Sequence, residues 1–109
     1  MHTIDSEHDI AALLRAPAAV LLKHSTRCPI SAAARDQVER FCAERPDAVV
    51  CLVDVNARRA LSDAIAERCR VPHDSPQALV LVAGVPVWVA SHYQIKARDL
   101  ARQYARAAR

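Results

Sequence analysis

Two kinds of apolar pattern alternate along this chain. Ile10, Leu13 and Leu14 recur at helical spacing behind Asp5 or Ser6 as a cap, with Asp9 completing a loose capping box and Pro17 as the stop. Ala18 to His24 is short and mostly apolar, which predicts a buried strand. Pro29 suits the first turn of a second helix, in which Ile30, Ala34, Val38, Phe41 and Cys42 share one face and which Pro46 ends. The valine-rich run Ala48 to Val55 predicts a central strand covered on both faces. Asn56 is the expected N-cap of a third helix ending near Arg70, with Leu61, Ala64, Ile65 and Cys69 inward. After the loop Pro72-His73-Asp74-Ser75-Pro76, two strands, Gln77 to Ala83 and Pro86 to Ser91, flank Gly84-Val85 as a tight hairpin. A last helix is expected from about Lys96 to Ala107, with Ala97, Leu100, Tyr104 and Ala108 on its inner face.

The predicted order is α-β-α-β-α-β-β-α. A parallel β-α-β unit with a right-handed crossover, then an antiparallel hairpin and a closing helix, resembles the thioredoxin-like arrangement. It implies one α/β domain over residues 1–109, a four-stranded mixed sheet flanked by helices, and an extra N-terminal helix. A chain of 109 residues has room for one core. Apolar residues at 52% and charged residues at 25% fit a soluble globular protein. The net charge is +3, basic residues are dispersed and aromatics are 4%, so nucleic-acid binding is not expected. No apolar run approaches membrane-spanning length, and Met1 to Asp5 has no leader-like pattern, so no membrane association is expected. A reducing cytoplasmic setting follows, with Cys28, Cys42, Cys51 and Cys69 as free thiols; a single glycine also argues against a loop-rich disulfide scaffold.

Chemistry concentrates in His24-Ser25-Thr26-Arg27-Cys28-Pro29-Ile30-Ser31. Cys28 sits where a strand gives way to a helix. Unpaired N–H groups at a helix N-terminus favour thiolate over thiol, and Arg27 adds a positive neighbour. Three residues on, where a second cysteine would complete a dithiol, stands Ser31. A C-x-x-S site has one reactive thiol: Ser31 can hydrogen-bond the thiolate but cannot resolve a mixed disulfide. The spacing points to exchange with a thiol outside the chain. Cys42 lies further along the same helix, about 21 Å away at 1.5 Å per residue, beyond disulfide reach. Cys51 in mid-strand and Cys69 on an inner helix face read, like Cys42, as structural. No cysteine or histidine pair has ligand spacing, so no metal site is expected.

That segment, together with Leu61-Ser62-Asp63-Ala64-Ile65-Ala66-Glu67, Ser75-Pro76-Gln77-Ala78-Leu79 and Ser91-His92-Tyr93, resembles the monothiol bacilliredoxins, the YtxJ-like family, over about Ile4 to Leu100. The resemblance implies a thioredoxin-like fold and action on mixed disulfides between bacillithiol and protein or small-molecule thiols. The family cysteine matches Cys28, with Thr26, Pro29 and Ser31 in support. The proline before the third strand, usually cis, matches Pro76; Ser75-Pro76 is then expected beside Cys28, with the Ser75 backbone free to pair with an extended substrate. The fourth strand ends on the Cys28 side, at the corner that in glutaredoxins holds part of a bound thiol cofactor. There Ser91, His92 and Tyr93, with Arg27, are expected to contact the carboxylates of bacillithiol, a thiol built from cysteine, glucosamine and malate. His24 either tunes the thiolate or pairs with a backbone group. No cofactor is expected to stay bound; bacillithiol is the exchanging thiol, the partners are bacillithiolated proteins or low-molecular-weight disulfides, and the chain is expected to be a monomer. Two departures stand out: Lys96 replaces an expected hydroxyl cap, and Cys42, Cys51 and Cys69 lie outside the motif. Two other readings keep the fold: an iron–sulfur carrier sharing a cluster between two subunits, against which Pro29 stiffens the loop, and a binding module without redox turnover.

Overall fold

Each apolar run becomes a strand of one sheet, and the helices divide over its two faces. A computed structural model describes residues 1–109. In chain order the elements are β1 (His2–Thr3), α1 (Glu7–Arg15), β2 (Ala19–His24), α2 (Pro29–Glu44), β3 (Val50–Asp54), α3 (Arg59–Cys69), β4 (Gln77–Val82), β5 (Val85–Ser91), a 3-10 turn (His92–Gln94) and α4 (Ala97–Ala107). The sheet order is β1-β3-β2-β4-β5. β1 and β2 lie parallel to β3, β4 is antiparallel to β2, and β5 is antiparallel to β4.

All six residues of β2 are buried because both sides are covered. Val20 and Leu22 pack toward α2 and α4 with Ala34, Val38, Phe41, Leu100 and Tyr104. Ala19 and Leu21 pack toward α1 and α3 with Ile10, Leu13, Ile65 and Cys69. The period-2 alternation of side chains along β2 thus feeds two separate cores. On the second face the alternation continues to Lys23, which is only 1% exposed; its Nζ lies 3.3 Å from His73 Nδ1.

The sheet has five strands, where the apolar pattern predicted four. β1 is two exposed residues long, His2 opposite Cys51 and Thr3 opposite Leu52, and carries no hydrophobic signal of its own. Its anchor is the next residue, fully buried Ile4, whose N–H donates to Leu52 O at 2.8 Å.

Three boundaries also differ. Asn56 does not cap α3. Asp54 Oδ1 accepts the N–H groups of Asn56 and Ala57 at 2.9 and 3.0 Å, which forms a turn and delays the helix to Arg59. The hairpin loop is Ala83-Gly84, closed by the pair Val82–Val85. Both loop residues have left-handed φ, +49° and +82°, as a type I′ turn requires. Gly84 is obligatory for a second reason: a Cβ there would lie 2.9 Å from the Leu14 carbonyl oxygen. Ala108 falls beyond the end of α4 and is exposed, so it is not part of the inner face. Lys96 gives α4 no side-chain cap; Gln37 of α2 supplies one instead, its Oε1 accepting the Ala97 N–H at 2.9 Å.

β5 is an edge strand, and Val85, Val87 and Val89 on it are exposed. It carries Pro86, and its register against β4 slips at Val80/Leu81.

Candidate active site

The register brings four loops to one end of the sheet. His24 at the end of β2 pairs with Asp54 at the end of β3, Lys23 pairs with Gln77 at the start of β4, and Gln77 pairs with Ser91 at the end of β5. Residues 25–28, 55–58, 72–76 and 92–96 therefore meet at the carboxyl ends of β2 and β3, where ligands bind in open α/β sheets.

Cys28 is the N-cap of α2, with extended backbone and Pro29 in the first turn. It is half-buried and unpaired. Backbone N–H groups of Ser31 and then Ile30 lower its thiol pKa below the ordinary 9.0; partial burial opposes them and the Ser31 hydroxyl adds to them. These are the orphan donors that every helix start presents, and here they stabilise a thiolate. Pro29 lacks an N–H and so removes no donor that the sulfur uses.

Ser31 is fully buried, and its Oγ also accepts the Ser25 N–H at 3.2 Å. Ser25 Oγ accepts the Arg27 N–H at 3.3 Å and Asn56 Nδ2 at 2.8 Å. The Cys28 loop is thus tied to α2 through Ser31 and to the β3–α3 turn through Asn56. Thr26 and Arg27 are exposed at its tip. His24 is buried; burial first, and then Arg35, push its imidazole below 6.5, and its Nδ1 has no partner. Separately, the His24 carbonyl accepts the Val55 N–H at 2.9 Å.

Ser75-Pro76 is a cis peptide bond, and Pro76 is buried. The Ser75 N–H is not free: it donates to Asp74 Oδ1 at 2.9 Å. The same oxygen lies 3.2 Å from His92 Nε2. Burial alone would raise the Asp74 carboxyl, but the Ser75 N–H, the Ser91 hydroxyl and His92 together hold it below 3.8. Ser91 and His92 therefore face Asp74, while Tyr93 stands out at 64% exposure and lines a small cleft with Ala33, Gln37 and Lys96. Cys51 and Cys69 are buried and Cys42 half-buried; burial raises all three thiols above 9.0.

The sequence reading did not single out Ser25, Asp54 or Asn56 as site support, or Asp74. Their roles need contacts between separate loops, and only the Asp54-Val55-Asn56 turn has a local signature, an acidic side chain followed by N–H groups it can accept.

A single activated cysteine at a helix start, on this sheet, defines a thioredoxin-fold thiol–disulfide oxidoreductase of the one-thiol kind. The comparisons agree. Residues 1–100 match the family Monothiol bacilliredoxin BrxC, and the chain belongs to that family. It is similar to a solved thioredoxin-fold protein assigned as an oxidoreductase, at 36% identity and TM-score 0.86, covering 99% of this chain and 93% of the other. It also shares its fold with a thioredoxin variant from Halobacterium salinarum, at 16% identity and TM-score 0.79 over 99% and 90% of the two chains. The thioredoxin of Fasciola hepatica superposes at 18% identity and TM-score 0.74 over 98% and 99%.

Proposed function

We propose that this protein removes bacillithiol from mixed disulfides through the Cys28 thiolate in its Cys28-Pro29-Ile30-Ser31 site. The observation that carries the reading is the pairing of an activated thiol with the absence of a resolving one: Ser31 occupies the position from which a second cysteine would act. In the forward step the Cys28 thiolate attacks the bacillithiol sulfur. A Cys28–bacillithiol S–S bond forms, the original S–S bond breaks, and the substrate thiol leaves as thiolate. A thiol from outside the chain then reduces the adduct.

Arg27 and Tyr93 are the exposed candidates for the carboxylates of bacillithiol, since Ser91 and His92 are engaged by Asp74. The substrates on this reading are bacillithiolated proteins and low-molecular-weight disulfides, met by a cytoplasmic monomer. Intact-mass spectrometry of the reduced protein mixed with a bacillithiolated protein tests it. The expected result is one bacillithiol adduct on Cys28 with release of the substrate thiol. A folded protein that takes no adduct, and whose Cys28 resists alkylation, would establish a binding module instead. Cys28→Ser is expected to abolish transfer, while Cys42→Ser, Cys51→Ser and Cys69→Ser keep most of it; loss in any of these three without unfolding refutes a single-thiol mechanism.

A further inference from the structure

Ser75 lies just beyond the last ladder pairs, Lys23–Gln77 and Gln77–Ser91, so its backbone is the first at this end of the sheet that an incoming extended chain could reach. Pairing with such a chain uses an N–H donor and a C=O acceptor. The Ser75 carbonyl takes no backbone partner. The Ser75 N–H is committed to Asp74 Oδ1 at 2.9 Å.

The carboxylate is fixed in that place. His92 Nε2 approaches the same oxygen to 3.2 Å, and His92 and the Ser91 hydroxyl both act to keep the carboxylate ionised. His92 is itself held, with left-handed φ of +56° and its N–H donating to Pro76 O at 3.0 Å. On the other flank His73 is tied to buried Lys23. The loop enters β4 clamped from both sides.

We propose that Asp74 is a specificity-determining residue: by occupying the Ser75 N–H, its carboxylate sets the site against extended polypeptides and leaves Cys28 to the small half of a mixed disulfide. The assignment rests on the exchange activity proposed above. Hydrogen bonds to an ionised acceptor are about twice as strong as neutral ones. A peptide carbonyl that displaced Asp74 would exchange a charge-assisted bond for a neutral one and strip a partner from the carboxylate. A small thiol makes no such demand. The protein half of the substrate is then read weakly, which suits an enzyme acting on many protein thiols that share one small adduct.

The test compares two symmetric disulfides, that of a cysteine-containing hexapeptide and cystamine. In both, the Cys28 thiolate attacks one sulfur, a Cys28–S–S–R bond forms, the R–S–S–R bond breaks and one R–S⁻ leaves, so no further oxidant is needed. Equilibrium constants for the Cys28 adducts are read by mass spectrometry. In the natural protein the peptide is expected to gain no advantage over cystamine. Asp74→Ala is expected to raise the peptide-to-cystamine ratio about tenfold, the scale of one charge-assisted hydrogen bond. Asp74→Asn, which keeps the acceptor without the charge, raises it less. A merely structural role would move both adducts together and leave the ratio where it was. An unchanged ratio in both variants, with both adducts forming, overturns the role of Asp74 alone. Failure of the folded natural protein to form either adduct overturns the exchange activity, and the specificity assignment with it.

Discussion

Ser31 is the residue on which the chemistry turns. It stands where a dithiol protein would carry its second sulfur, yet its hydroxyl serves both the Cys28 sulfur and the Ser25 N–H. Ser31→Ala removes one thiolate partner and leaves the backbone donors of Ser31 and Ile30 in place. The Cys28 pKa should therefore rise while staying below that of an ordinary thiol, since the backbone donors are the larger causes of its lowering. The pH dependence of iodoacetamide alkylation at Cys28 measures this directly, since rate follows the thiolate fraction; an unchanged profile would show that the hydroxyl contributes nothing. Cys28, Pro29 and Ser31 were legible in the sequence because helix-start chemistry is local, set by residues within one turn. Asn56 was misread for the opposite reason. Its type suits an N-cap, but Asp54 takes the local N–H groups and a hydroxyl from a distant loop claims its side chain.

At the scale of the elements, the hairpin and β2 hold the most testable features. Gly84→Ala would force a Cβ against the Leu14 carbonyl at φ +82°, and backbone cannot yield as a flexible side chain can. The expected loss is about 1–3 kcal/mol of unfolding free energy, checked by urea denaturation; a loss under a few tenths would mean that the β4–β5 turn and α1 relax apart freely. Lys23 asks the reverse question. It is a basic residue in a strand read as buried, and the structure does bury it, with one histidine nitrogen as its hydrogen-bond partner. Burial lowers its pKa from 10.5. Apolar replacement of buried charge is often neutral or stabilising, so Lys23→Met is expected to leave stability unchanged or to raise it by up to ~2 kcal/mol. A fall in urea stability of similar size would show that the ammonium holds the 72–76 loop in place. The long apolar elements were readable because each has period 2 or 3.6 over enough residues. β1 was not, because two residues have no period, and their place beside β3 is set by Ile4 plugging the second core.

For the molecule as a whole, the titration of its buried groups fixes the pH range of greatest stability. Burial holds His24 and His73 below 6.5, with Arg35 and Lys23 respectively as the next causes, so the folded chain binds fewer protons than the unfolded one and stability falls on acidification below 6.5. Asp9, Asp54 and Asp74 lie below 3.8; their contribution is present above that value and is lost as pH drops through their lower folded values. The Cys42, Cys51 and Cys69 thiols lie above 9.0, so the unfolded chain loses their protons first and stability declines past 9.0. Lys23 partly offsets that decline up to 10.5. Calorimetry should find the highest Tm between about pH 6.5 and 9; a maximum well below pH 6 would contradict the burial of the two histidines. The edge of the sheet bears on a different property, colloidal behaviour at high concentration. β5 turns three valines outward beside an open edge, the pattern on which a second copy could stack strand to strand. Pro86 takes one donor out of that edge and the register slip bends it, so the strand is a poor template. Pro86→Thr restores that donor, and light scattering should then detect self-association that the natural chain resists.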